Sequence, residues 1–199
     1  MNTHGLRERK KLRTRQQIVE AAFALFRERG FQATTVAEIA AEADIAPRTF
    51  FAYFPSKEAV VFYDFDAMFE SLRSTIEERP AEETAIDALR RWLEHSLPVK
   101  HEEGEDAVLR KRLCIDEPAL AAYQKGLLSR LEVILREGVA RDLGEPADGL
   151  RPKLVSAAAV AALSAIDDER ADKAESMALL DETLVFLRGG VAALQNRGG

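Results

Sequence analysis

Thr34-Thr-Val-Ala-Glu-Ile-Ala-Ala-Glu-Ala-Asp-Ile-Ala-Pro-Arg-Thr-Phe-Phe-Ala-Tyr-Phe-Pro-Ser-Lys57 is the stretch on which the fold turns. Thr35 and Glu38 have the spacing of a capping box: the threonine hydroxyl takes the amide at Glu38 while that carboxylate reaches back. Val36, Ile39, Ala40 and Ala43 behind the cap follow the spacing of one helical face. Asp44 tolerates the left-handed turn that ends such a helix, though less readily than glycine. Pro47 fits the first position of a new helix, whose apolar side Phe50, Phe51 and Phe54 supply. Pro55 stops it, and Ser56 can cap the next one.

Upstream, residues 12–29 place Ile18, Ala22, Leu25 and Phe26 on one stripe with Val19 and Phe23 beside it, and Gly30 closes this helix in a left-handed conformation. Three helices, the last two short and joined by a tight turn, make a helix-turn-helix layout, a pattern shared with other small helical bundles. Downstream, longer helices are predicted over residues 58–79, 82–97, 106–115, 118–142, 152–166 and 173–194. Pro80, Pro98 and the loop Gly144-Glu-Pro-Ala-Asp-Gly149 provide the breaks. Alternating β-branched runs and repeats are absent, so the fold class is all-α.

Composition narrows the classes further. The 199 residues carry 28 Lys/Arg and 34 Asp/Glu, a net charge of -6. Residues 1–60 hold 10 basic and 7 acidic side chains, a balance of +3, and the other 139 hold 18 and 27, a balance of -9. Between Leu6 and Arg15, six cations (Arg7, Arg9, Lys10, Lys11, Arg13 and Arg15) stand against Glu8 alone. In an acidic chain a local basic arm fits a polyanion, and equally a solvated tail. No apolar run approaches the roughly 18 residues that span a bilayer, and the charged N-terminus lacks the apolar stretch of a signal peptide. Cys114 is the single cysteine, which excludes an intramolecular disulfide framework and fits a reducing cytoplasm, the expected location.

Taken in order over residues 9–60, these motifs closely resemble the TetR family of bacterial transcriptional regulators. A basic helix ends in Phe-x-x-x-Gly; then come Thr-Thr-Val-x-x-Ile-Ala, Thr-Phe-aromatic-x-Tyr-Phe and Lys-Glu. The Arg-Thr-Phe-Phe-x-Tyr-Phe-Pro-Ser-Lys-Glu form is similar to a subset frequent in actinobacterial members. The resemblance implies an N-terminal three-helix DNA-binding domain over residues 1–56 and a C-terminal helical ligand-binding and dimerisation domain over residues 57–199. It further implies a ligand-responsive regulator with repression as the outcome, a homodimer on a palindromic operator, and release by a small-molecule effector, lipophilic if the cavity is apolar. Three departures stand out: Asp44 where glycine often makes the turn, Ala46 where Ser or Thr commonly caps the recognition helix, and Phe51 where Tyr is frequent.

With Phe50 and Phe54 in the core, Arg48, Thr49 and Tyr53 fall on the face that meets the major groove in this geometry. Arg48 can make a bidentate bond to guanine or pair with phosphate, Thr49 can touch a base edge or phosphate, and the Tyr53 hydroxyl can reach phosphate. The resemblance places Phe51 among the DNA-binding residues as well, although it offers no hydroxyl to phosphate. Lys57 in a first helical turn opposes the macrodipole, a sign that a phosphate there would reverse; the resemblance implies a phosphate contact, the alternative being a solvated lysine balanced by Glu58. The resemblance places phosphate at Thr35, and Arg13 and Arg15 are expected near the DNA backbone. A helical protein of the same fold that binds small molecules and reads no DNA is the rival, and the basic arm with Arg48 and Lys57 speaks against it.

The remaining residues point to chemistry less sharply. Phe62, Phe65, Phe69, Trp92, Cys114 and Tyr123 are candidates to line an apolar ligand cavity, or to be plain core. His95 and His101 lie among Glu94, Glu102, Glu103 and Asp106, but their spacing matches no compact ligand motif and reads as a solvated charged loop. No Gly-rich phosphate cradle or Ser-centred nucleophile elbow occurs, so neither enzymatic activity nor a cofactor or metal is expected. The small residues of 156–165 and the bulk of Leu179, Leu180, Leu184, Phe186 and Leu187 suit close helix–helix packing, which can be intramolecular; the resemblance implies that the last two helices form the dimer contact.

Overall fold

The structure, a computed structural model, describes residues 3–96, 104–166 and 173–195. Ten helices occur among them: α1 (Thr3–Arg29), α2 (Val36–Glu42), α3 (Pro47–Phe50), α4 (Lys57–Val61), α5 (Phe65–Glu77), α6 (Ala85–Ser96), α7 (Glu105–Asp116), α8 (Pro118–Leu143), α9 (Leu150–Ile166) and α10 (Lys173–Gln195). No strand is present among the described residues, so the chain is all-α. They fall into two compact units, one drawn from residues 1–65 and 101–125, the other from 66–100 and 126–199.

In the first unit, Ile18, Ala22, Phe23 and Phe26 of α1 close on Phe31, Ile39, Phe50 and Phe54, all buried. Edge-on and tilted ring contacts link Phe23 to Phe26, Phe26 to Phe31 and Phe50 to Phe54, the arrangement that aromatic quadrupoles favour. The turns follow the local chemistry: Gly30 and Asp44 adopt positive φ (83° and 53°) just past the ends of α1 and α2. Helix α1 begins well before residue 12. Its first half is rich in Arg and Lys, good helix formers, and exposes Leu6 and Leu12, so propensity and not burial carries the helix outward.

The helix expected over 58–79 is two helices. Phe62 leaves the helical path at φ -109°, ψ 35°, and α5 restarts at Phe65 without a glycine or proline between them. Tertiary contacts hold the break: Phe62 stacks on Tyr123 with centroids 5.4 Å apart, Arg110 donates to Asp64 at 2.7 Å, and Arg15 takes the Tyr63 carbonyl. The helix end near Tyr63 is therefore written in residues distant from it. Burial, then the neighbouring Asp64 carboxylate, pushes the Tyr63 hydroxyl above its ordinary pKa.

In the second unit, Leu72, Ile76, Ile86, Leu89, Leu135 and Val139 form the core. Thr84 and Asp87 cap α6 reciprocally: the Thr84 amide and hydroxyl donate to the Asp87 carboxylate, and the Asp87 amide donates back to the hydroxyl. Arg79 and Asp142 form a buried ion pair; Arg79 also donates to the carbonyls of Ile76, Glu83 and Gly138, while Asp142 accepts the Ala85 amide at 2.6 Å. Gly138 lets α8 approach this corner, since a Cβ there would lie 2.7 Å from Ile76 Cγ2 and 2.8 Å from the Ala85 Cβ. Helix α10 packs on α6 and α9, with Arg90 bonded to Asp181 and Arg188 to Asp87.

Candidate nucleic-acid interface

Helix α3 is a single turn whose N-cap, Ala46, makes no side-chain hydrogen bond, so its order comes from what it buries. Phe50 and Phe54 go fully into the core, which turns Arg48 and Phe51 outward, with Thr49 and Tyr53 half-buried beside them. Arg48 makes no ion pair among the described residues. Phe51 is 58 % exposed and touches Phe50 edge-on at 5.5 Å. An exposed ring beside an unpaired guanidinium gives this tip one apolar and one cationic contact, suited to a thymine methyl and to a guanine or phosphate.

Behind α3, the N-terminus of α2 is built as its sequence reads. The Thr35 amide and hydroxyl each donate to Glu38 Oε2 at 2.8 Å, and the Glu38 amide donates to the Thr35 hydroxyl at 3.3 Å. Arg29 donates to the other carboxylate oxygen at 2.8 Å. The Thr35 amide, then its hydroxyl, and Arg29 beyond them hold the Glu38 carboxyl below the ordinary carboxylate range.

The basic residues divide into two sets. Arg7, Lys10, Lys11 and Arg13 are exposed and make no ion pair among the described residues. Arg15 and Lys57 point inward. Arg15 donates from Nη1 to the Tyr53 carbonyl at 3.2 Å and from Nη2 to the Tyr63 carbonyl at 2.7 Å, with its guanidinium 4.3 Å from the Phe54 ring centroid. Lys57 Nζ donates to the carbonyls of Phe31 at 2.8 Å and Thr34 at 3.0 Å, and lies 4.2 Å from the Phe31 ring centroid. Withdrawing Arg15 would leave two part-buried carbonyls unsatisfied at about 1–3 kcal/mol each. Withdrawing Lys57 would strand the Thr34 carbonyl, while the Phe31 carbonyl would keep the Thr34 amide at 3.2 Å. The macrodipole conflict expected at Lys57 is thus relieved within the protein. Sequence reading missed this because the acceptors are backbone carbonyls, which no residue type announces.

The six cavity candidates are distributed between the two units. Phe62, Phe65, Cys114 and Tyr123 belong to the first, where Phe65 meets Phe62 edge-on at 5.4 Å and lies under Arg110, and Cys114 is half-buried on α7. Phe69 and Trp92 belong to the second. Phe69 is buried with Arg130 5.1 Å from its ring centroid, and Trp92 donates to Ser71 at 3.1 Å. A cleft of about 460 Å³ in the second unit is lined by Glu77, Glu137, Ala140, Arg141, Gly144, Glu145 and Ala147, and none of the six reaches it. His95 is exposed with Nδ1 2.6 Å from the Arg91 carbonyl; His101, Glu102 and Glu103 lie outside the described residues.

A basic helix leading into a helix-turn-helix whose tip carries an exposed arginine on an aromatic core defines a DNA-binding transcriptional regulator. Comparison with known proteins agrees. Residues 18–63 match the family described as "Bacterial regulatory proteins, tetR family", and residues 83–192 match the "MftR C-terminal domain". The chain is 35% identical over 169 residues to the HTH-type transcriptional regulator TcmR of Streptomyces glaucescens, covering 78% of this chain and 72% of that one. It is 28% identical over 154 residues to the putative mycofactocin biosynthesis transcriptional regulator MftR of Mycobacterium tuberculosis, covering 74% of this chain and 75% of the other. Among solved structures it has the fold of SmeT, the repressor of the Stenotrophomonas maltophilia multidrug efflux pump SmeDEF, with a TM-score of 0.57 at 24% identity over 86% of this chain and 88% of that one. The protein belongs to the TetR family of transcriptional regulators.

Proposed function

We propose that the protein is a dimeric repressor that holds a palindromic operator until a small lipophilic effector releases it. Residues 1–56 read DNA, and residues 57–199 bind effector and dimerise. Arg48, Thr49, Phe51 and Tyr53 meet the major groove, while Arg13 and the N-terminus of α2 at Thr35 lie along phosphate. The observation that carries this reading is the outward, unpaired Arg48 on a helix otherwise held by buried phenylalanines.

Dimerisation is supported by what α9 and α10 leave uncovered. Leu150, Leu154, Leu179, Val185 and Phe186 are exposed, Phe186 by 77 %. Ala157, Ala158 and Ala161 on α9 and Gly189 and Gly190 on α10 are exposed too, and the two glycines have open space around them. Bulky and small residues on one surface suit close packing against a second copy, because a monomer leaves that apolar area in water. Two arginine tips related by a twofold axis then reach half-sites about 34–36 Å apart, or a related spacing on distorted DNA.

An effector of lipophilic character is supported by Phe62, Phe65, Phe69, Trp92 and Tyr123 in the region that carries no DNA-reading role, and by ligands on other proteins of this fold. SmeT has been solved with triclosan, and the Thermus thermophilus repressor FadR with lauroyl-CoA. Gel retardation across the sequence upstream of the protein's own gene tests the reading: a shift that acyl or aromatic compounds relieve is expected. No retardation at low salt by folded dimer would overturn it.

A further inference from the structure

The two inward cations bracket the DNA-reading helices in a way that gives them a different task from the outward ones. Helices α3 and α4 are four and five residues long, too short to hold their own orientation. Lys57 begins α4 and bonds backward to Phe31 and Thr34, both within the α1–α2 connection. Arg15 extends from α1 to Tyr53, just past α3, and to Tyr63, just past α4. Both ends of α4 and the exit of α3 are thereby tied to the long first helix and its loop. Phe31 and Phe54, the rings beneath the two cations, are also buried core residues, so each brace is seated on the same packing that fixes α3.

We propose that Arg15 and Lys57 are positioning residues for DNA reading, holding four backbone carbonyls so that α3 presents Arg48 at a fixed angle, and that neither neutralises phosphate. The proposal rests on the DNA-binding reading above. It separates the cations of the outward arm, which release counterions from DNA, from cations that give affinity without salt dependence. A phosphate contact contributes about 0.9 to the slope of log K against log salt on duplex DNA; a brace contributes nothing to it.

Two measurements decide the matter, both with the full-length chain and a duplex that the wild-type protein selects from a random pool. Failure to select any duplex refutes the DNA-binding reading and is distinct from the outcomes below. In the first, lysine acetylation by sulfo-NHS acetate is followed by peptide mass spectrometry with and without the duplex. Lys57 should label more slowly than Lys10 and Lys11 in the unbound protein, at a rate the duplex leaves unchanged. Labelling as fast as at Lys10, abolished by DNA, would overturn the proposal for Lys57. In the second, Arg15→Lys and Arg15→Met are compared across a salt titration. A lysine cannot reproduce the two-pronged guanidinium, so both variants should bind every duplex about 10- to 100-fold more weakly, with the salt slope of the wild type. Wild-type affinity in Arg15→Lys, or a slope smaller by about 0.9 in Arg15→Met, would show phosphate contact instead. If the methionine variant does not fold, as read by circular dichroism, the affinity of Arg15→Lys decides by itself.

Discussion

The helix-turn-helix segment over residues 18–60 and the α9–α10 pair treat their apolar side chains in opposite ways. In the first, every large apolar residue but Phe51 is buried or half-buried. In the second, Leu150, Leu154, Leu179, Val185 and Phe186 stand outside. The difference fits the partners proposed for the two surfaces. A polyanion rewards charge and hydrogen bonding, and exposed hydrocarbon gains little there. A second copy of the same chain rewards hydrocarbon that would otherwise face water. Phe51 is the exception on the DNA-reading side, and it lies at the tip, where a thymine methyl can meet a ring.

The largest expected effect breaks this contrast at Phe186. A glutamate there puts a charge on the exposed apolar surface while disturbing little inside the protomer, because the ring is 77 % exposed. Phe186→Glu should therefore be monomeric by light scattering and retain its helical circular dichroism. Operator affinity should fall by about 10²–10⁴-fold, the advantage lost when two half-sites are no longer bound by one linked pair. A variant that stays dimeric would show that this surface does not face a second copy.

A second prediction probes how the C-terminal unit is held. Arg79 and Asp142 are nearly sealed from solvent, with side chains 9 % and 6 % exposed, and between them they satisfy the corner where α5, α6 and α8 converge. Removing one partner strands a buried charge, so Arg79→Ala should destabilise this unit by about 3–5 kcal/mol. Trp92, the single tryptophan and buried in the same unit, gives a local reading of urea unfolding by fluorescence. An unchanged midpoint would show that apolar packing alone holds the corner. On the DNA-reading side, Arg48→Ala should cost about 1–3 kcal/mol in operator binding and relax sequence preference at one position. Thermal stability should stay within about 0.5 kcal/mol of wild type, since the side chain is exposed and unpaired. An equal loss on all sequences would reassign Arg48 to phosphate.

The N-terminal helices were legible because independent local signals coincide there: the Thr35–Glu38 box, positive φ at Gly30 and Asp44, Pro47 at a first helical position and the Ser56 cap all occur as the residues imply. The break at Phe62–Asp64 was not legible. Its causes, Tyr123, Arg110 and Arg15, lie about 50 to 60 residues away and act through packing that overrides local propensity. The same limit applies to the candidate site. Arg48 could be read outward because Phe50 and Phe54 fix the helix face, whereas Arg15 and Lys57 are cations whose acceptors are main-chain atoms. In the C-terminal region helix positions were readable from proline and loop signals, but aromatic residues at helical spacing mark core and cavity alike.

The smallest effect sharpens the comparison at the start of α2. Thr35→Ala removes a hydroxyl that accepts the Glu38 amide and donates to the Glu38 carboxylate, and should cost about 1 kcal/mol of stability at neutral pH. Acid should shrink that difference. The Glu38 carboxyl is held below its ordinary value by the Thr35 amide and hydroxyl, so the folded pKa lies below the unfolded one. The stabilisation is complete above the unfolded carboxylate pKa of about 4.3 and is lost as pH falls through the lowered folded value. Below that value the wild type has a neutral Glu38 and one half of its cap, which brings it closer to the alanine variant. Thermal melts of both proteins from pH 7 down into the acid limb should show their midpoints converging; a gap that stays constant throughout would mean that the carboxylate contributes nothing to this helix start.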